Sequence, residues 1–118
     1  MGTTQQVILN TTVTASAALT QQRFVGADNA PCQLGAVALG VAEVDAAAGD
    51  LTPVNVLGIV AVEAGAAITR GLNVQSDASA RAIPQTAATE HVAAGISAGI
   101  ALDEALAEGD VIRILRGV

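Results

Sequence analysis

Few residues in this chain are of types that do chemistry, and their spacing argues against each reaction they suggest. Gly95-Ile96-Ser97-Ala98-Gly99 matches the G-x-S-x-G pattern that exposes a nucleophilic serine at a strand-to-helix turn. That chemistry needs a histidine after the acid in chain order, whereas the single histidine, His91, precedes Ser97. A strand of small residues explains the string, and no hydrolase is expected. Glu90-His91 is an acid–base pair by type, but no second candidate nearby completes a pocket, and an exposed polar turn is the reading. Cys32 stands alone, which rules out an intramolecular disulfide, and one cysteine with one histidine cannot make a structural zinc set. A small buried or half-buried thiol is expected there. Asp103, Glu104, Glu108 and Asp110 lack the loop spacing and bidentate glutamate of a calcium site and suit a solvated acidic turn. Gly35 and Gly40 have phosphate-loop spacing, but Val41 and Ala42 follow where Lys and Ser or Thr are required. Asn10-Thr11-Thr12 is a glycosylation sequon without a secretory context. The expectation is a chain with no catalytic residue, no metal and no cofactor.

The elements that must position these residues are short. From Arg23 onward, apolar runs alternate with Gly, Asp, Asn and Pro, the rhythm of an all-β barrel or sandwich. Strands are predicted near Arg23–Gly26, Val37–Val44, Val54–Glu63, Leu72–Gln75, Val92–Leu102 and Val111–Leu115. Turn signals fall between them at Ala27–Pro31, Ala47–Asp50, Ser76–Ser79 and Glu108–Asp110. At most one short helix is predicted, within Asp103–Glu108, where the Ala-Leu-Ala composition favours it although the length is marginal. Met1 to Gln22 precedes the first charge, Arg23, and is rich in Thr, Gln and Ala. It reads as an extended N-terminal arm, residues 1–22, ahead of a β-rich body, residues 23–118, and a disordered terminus fits the same residues equally well. Val7 to Thr14 would be its strand, without the Lys or Glu that normally keeps an exposed edge from pairing.

Two stretches also repeat. Phe24–Asp28 matches Asn73–Asp77, and Leu39–Glu43 before Ala48-Gly49-Asp50 matches Gly99–Asp103 before Glu108-Gly109-Asp110. Two copies are too few for a solenoid, so a small β-barrel with pseudo-repeated halves is the better physical expectation.

Composition narrows the function classes. The chain has 118 residues, enough for one domain, and is 52% hydrophobic but only 1% aromatic, so its core must be built from small aliphatic side chains. Such a core gains little area per residue at roughly 25 cal/mol per Å², and subunit contacts are expected to supplement it. Net charge is −6, and the five basic residues, all Arg, are scattered. Direct nucleic-acid binding is disfavoured, because phosphate neutralisation needs a basic face and stacking aromatics. The longest charge-free apolar stretch of the body, Val92–Leu102, is well short of the roughly 20 residues of a membrane-spanning helix. No secretory signal is visible at the N-terminus, and an intracellular site of synthesis is expected.

The stretch Glu63-Ala64-Gly65-Ala66-Ala67-Ile68-Thr69-Arg70-Gly71-Leu72-Asn73-Val74, then Ser76-Asp77, and the closing Ala107-Glu108-Gly109-Asp110-Val111-Ile112-Arg113-Ile114-Leu115 resemble the small capsid decoration, or cement, proteins of tailed bacteriophages. The resemblance covers about Val37 to the C-terminus. It implies a compact β-barrel or β-tulip-like domain on the outer face of a virion's capsid, with the major capsid protein as partner. A homo-oligomer is implied as well, a trimer at three-fold positions favoured over a dimer at two-folds. The arm would then add a strand to a capsid-protein sheet, with Val7, Ile8, Leu9, Thr11 and Val13 as the contact residues. The rival reading, a protein- or carbohydrate-recognition module on a phage tail or cell surface, is weakened by the absence of Trp and Tyr.

Overall fold

The structure, a computed structural model, describes residues 4–90 and 94–117; His91 therefore lies outside the described residues. Eight strands follow in chain order: β1 Gln6–Thr14, β2 Phe24–Gly26, β3 Ala38–Ala42, β4 Leu51–Glu63, β5 Asn73–Ser76, β6 Ala82–Pro84, β7 Gly99–Ala101 and β8 Val111–Arg116. All pairings between them are antiparallel, in the order β2-β3-β4-β8-β7-β5-β6, with β1 laid on β4 outside that path. The sheet curls until its two ends approach. Phe24 N–H of β2 donates to Ala80 O in the β5–β6 turn at 2.7 Å, and Ala64, just after β4, bridges Ala82 of β6. The result is a nearly closed all-β barrel, which removes most of the exposed edges an open sheet would leave.

β4 is the hub. Its first part pairs with β1 from Leu51 to Ile59 and touches β3 at Val54 and Asn55, while its second part pairs with β8 from Gly58 to Glu63. Pro53 marks where β3 ends, since its carbonyl still accepts from Glu43 N–H at 3.3 Å but its nitrogen has no hydrogen to return. Two glycines permit the close crossings. A Cβ at Gly40 would strike the Asn55 carbonyl, and one at Gly58, whose φ is +107°, would strike the backbone of Gln6 and Ile8.

The repeat foreseen in the sequence is a backbone fact. Leu19 and Ala46 exchange N–H···O bonds of 2.8 and 3.0 Å, and Ile68 and Ala105 exchange bonds of 2.9 and 3.0 Å. Ala15 N–H donates to Asp50 O as Ala64 N–H donates to Asp110 O, at 2.9 and 2.7 Å. In this correspondence β8 plays the part of the first half of β4, and the second half of β4 plays the part of β1.

The core divides likewise. A larger cluster holds Phe24, Val60, Val62, Ile112 and Ile114, and a smaller one holds Ala15, Leu19, Val25, Ala42 and Val54. Val13 packs against the smaller cluster, and with Ala15 and Leu19 it fastens the N-terminal segment to the body.

Two expectations are corrected. Asp103–Glu108 forms no helix: Ala105 is held in extended pairing with Ile68, while Asp110 Oδ2 accepts from Leu106 and Ala107 N–H at 2.9 and 3.3 Å and closes a turn instead. Strand Val92–Leu102 shrinks to Gly99–Ala101, because Gly95 and Ile96 bond back to Thr86 and Gly35 at 3.2 and 3.0 Å. Val92 itself is outside the described residues.

Candidate functional site

The residues that looked chemical are occupied structurally. Ser97 Oγ donates to Asn73 Oδ1 at 3.1 Å on an exposed loop. Asp103 forms a two-pronged ion pair with Arg113, both contacts at 2.9 Å, and also accepts Arg113 N–H at 3.0 Å. The guanidinium holds the Asp103 carboxyl down at about 2. Glu108 lies 3.6 Å from Arg81, which also meets Glu63 and Asp77, and Glu63 reaches Arg23 at 3.3 Å. Among the described residues no group of three or more His, Cys, Asp or Glu could hold a metal ion. Cys32 is buried, and burial pushes its thiol above its ordinary value.

Arg116 gave no sequence signal beyond being a cation in an apolar strand. It points inward opposite Gly58, and its guanidinium donates to four carbonyls: Val56 at 2.8 Å, Ala98 at 2.5 Å, Ala38 at 2.9 Å and Leu39 at 3.1 Å. Ala38 and Ala98 belong with the larger cluster, Leu39 and Val56 with the smaller. The side chain therefore ties the two halves together at their seam. Loss of water around it lowers its pKa from the arginine value, and arginine remains charged regardless.

The exposed apolar surface is where the structure departs from a bland shell. Within β1, the residues expected to touch a partner divide by orientation. Val13 and Thr11 sit opposite Thr52 and Val54 and are half-buried, whereas Val7, Ile8 and Leu9 are exposed. Ile8 has no partner in the β4 register, because the pairing steps from Val7–Gly58 to Leu9–Leu57, and it projects with 82% of its surface in solvent. A skipped Val56 on β4 restores the register, so the two bulges compensate. The strand is anchored by Asn10 Nδ2 donating to Asn55 Oδ1 at 2.9 Å and by Gln5 Oε1 accepting from Ala61 N–H at 2.8 Å. Among the described residues β4 is the one strand partner of β1, and Gln6–Thr14 carries no charge. An uncharged strand with one edge open is chemically suited to accept another strand.

Comparison with known proteins agrees with this surface-and-scaffold picture. Among solved structures the chain is similar to the head fiber N base of bacteriophage phi29, with a TM-score of 0.68 and 24% identity over 92% of this chain and 93% of that one. At that identity the likeness establishes a shared fold. No curated protein matches. A family model described as phage cement protein matches residues 3–116. Since that match spans nearly the whole chain, the protein belongs to the phage cement proteins, non-enzymatic structural components associated with the virion capsid.

Proposed function

We propose that the protein binds the outer surface of a bacteriophage head and stabilises the expanded shell by bridging neighbouring capsomers, with the major capsid protein as its direct partner. A symmetric cap across the seams adds binding energy to the closed, expanded lattice and none to a lattice whose subunits are not yet in register. Bridging requires more than one contact per particle, which a homo-oligomer supplies; a trimer suits three-fold positions, a dimer two-folds. The observation that carries this reading is β1: its edge is open and uncharged, and Val7, Ile8 and Leu9 stand in solvent beside it. An extended capsid segment adding to that edge would gain main-chain hydrogen bonds, with the apolar side chains fixing the register. The similarity to a head fiber base supports a place on the phage head.

The test is co-sedimentation with expanded capsids and with procapsids, comparing the native chain with Ile8→Lys and Leu9→Lys. Ile8 is exposed enough for lysine to leave the fold unchanged. Native binding to expanded shells alone, weakened at least tenfold in both variants, is the expected outcome. Equal binding by both variants would remove β1 from the interface.

A further inference from the structure

Gln75 on β5 is buried to 1% exposure, yet half of its carboxamide is unused. Its Oε1 accepts from Thr86 N–H at 2.8 Å and from Thr86 Oγ1 at 3.0 Å. A backbone N–H can only donate, so the carboxamide oxygen faces Thr86 and the nitrogen faces away from it. That Nε2 has two hydrogens to give and no hydrogen-bond partner among the described residues. The side-chain atoms of the described residues that are sealed from solvent without a hydrogen bond are Thr52 Oγ1 and Arg81 Nε. Gln75 Nε2 therefore stays within reach of an opening.

The opening is a cavity of about 490 Å³ with Gln75 in its lining. Its walls are the β2–β3 and β6–β7 connections, and main-chain bonds hold them in place. Gly35 N–H donates to Ser76 O at 2.9 Å, Ile96 N–H to Gly35 O at 3.0 Å and Gly95 N–H to Thr86 O at 3.2 Å. Gln85 Nε2 adds a bond to Gly95 O at 2.8 Å. The site is thus formed before anything enters it. A Cβ at Gly95 would strike Gln75 Oε1 and come within 2.9 Å of Nε2, so a glycine there keeps the amide accessible. Around the amide the described lining is uncharged, with Leu34, Ala87 and Ala94 as its aliphatic part, and Leu34 is 63% exposed.

This chemistry selects an occupant. A single unpaired donor among aliphatic groups suits a ligand that brings a carbonyl oxygen with an aliphatic group beside it. A charged ligand would find no counter-charge in the lining. A sugar would bring many hydroxyls to one donor and would find no aromatic face. A peptide offers both parts in every aliphatic residue. We infer that the cavity receives an uncharged aliphatic segment of the protein on which this chain docks, with one carbonyl oxygen on Gln75 Nε2 and one side chain against Leu34 and Ala87. The inference rests on the docking reading above and gives it a second contact, to which β1 contributes no residue.

The experiment has two arms. Proton–nitrogen correlation spectra of the full chain follow the Gln75 side-chain amide during titration with N-acetyl-leucine methylamide, with maltose as the sugar control. Co-sedimentation with expanded capsids then compares the native chain with Gln75→Glu and Ala87→Leu. Gln75→Glu keeps an acceptor for Thr86 and removes the donor, whereas Ala87→Leu fills the cavity from an exposed position and leaves Gln75 intact. The capped leucine should shift the Gln75 amide saturably, maltose should not, and each variant should weaken capsid binding at least tenfold with unchanged circular dichroism. Should Gln75→Glu lose its fold, Ala87→Leu decides alone. No saturable shift at Gln75, a shift caused by maltose instead, or native binding by both variants would overturn the site; binding that Ile8→Lys still weakens would leave the docking reading intact. A native chain that does not sediment with expanded capsids would overturn both.

Discussion

Single side chains here act by holding the barrel rather than by reacting, and two of them make that measurable. Cys32 is buried, and its Sγ lies 3.6 Å from the carbonyl oxygens of Gln33, Ala36 and Val37, with its thiol pushed up by burial. A thiol that is neither exposed nor ionised is a poor nucleophile. It should stay unreactive to a disulfide reagent in the folded protein and react at once in denaturant; rapid native labelling would show that the β2–β3 connection opens. Asp103 gives a pH signature. Its carboxyl is depressed to about 2 by the Arg113 hydrogen bond, against the ordinary 3.8, so the contribution of the pair is fully present above about pH 4 and disappears as pH falls through about 2. Both side chains are about one-third exposed, at 34% for Asp103 and 36% for Arg113, and water screens the pair, so the effect is small. Asp103→Asn should lower the urea midpoint slightly at pH 7 and converge with the native chain near pH 2. A difference that persists unchanged at pH 2 would point to lost turn geometry instead of lost charge.

At the scale of elements, β4 and the last residue of β8 organise what the sequence shows only in pieces. Arg116→Met would leave the part-buried carbonyls of Val56, Ala98, Ala38 and Leu39 without their donor, at about 1–3 kcal/mol for each one that water does not reach. A loss of at least ~2 kcal/mol in chemical denaturation is expected, with Arg116→Lys intermediate because its ammonium lacks the planar fork. Gly58→Ala places a side chain at φ +107° against β1 and should cost about 1–3 kcal/mol, with faster hydrogen exchange at Val7 to Leu9 than in the native chain. Neither role was legible beforehand, because the first depends on carbonyls of residues some 18 to 78 positions away and the second on which strand crosses Gly58. The alternating runs, the turn signals and the extended character of Val7–Thr14 were legible, since local patterning alone sets them. The Asp103–Glu108 segment misled because helix propensity over six residues is weak beside one tertiary pairing, Ala105 with Ile68. The repeat differs by one residue between sequence and backbone: aligning Leu39–Glu43 with Gly99–Asp103 equates Val41 with Ala101, whereas the paired backbones equate Val41 with Ile100, since Val41 faces Phe24 as Ile100 faces Asn73.

For the whole molecule, the balance of core against surface sets how folding and assembly are coupled. The largest fully buried side chains are one Phe and two Ile, followed by Gln75 and a set of valines, while Ile8, Leu51 and Leu106 expose about three-quarters or more of their surface at 82%, 74% and 77%. Apolar area that a monomer leaves in water is available to stabilise an oligomer, and anything that binds the folded state alone raises apparent stability by mass action. A chain whose subunits associate through such surface should therefore unfold at a higher temperature when concentrated. Raising the chain concentration a hundredfold should raise the thermal midpoint by several degrees, since about 1 kcal/mol shifts a domain of this size by roughly 4 °C. A midpoint independent of concentration, in a chain that light scattering finds monomeric throughout, would mean that the barrel is self-sufficient and that several copies meet only on a shell that arranges them.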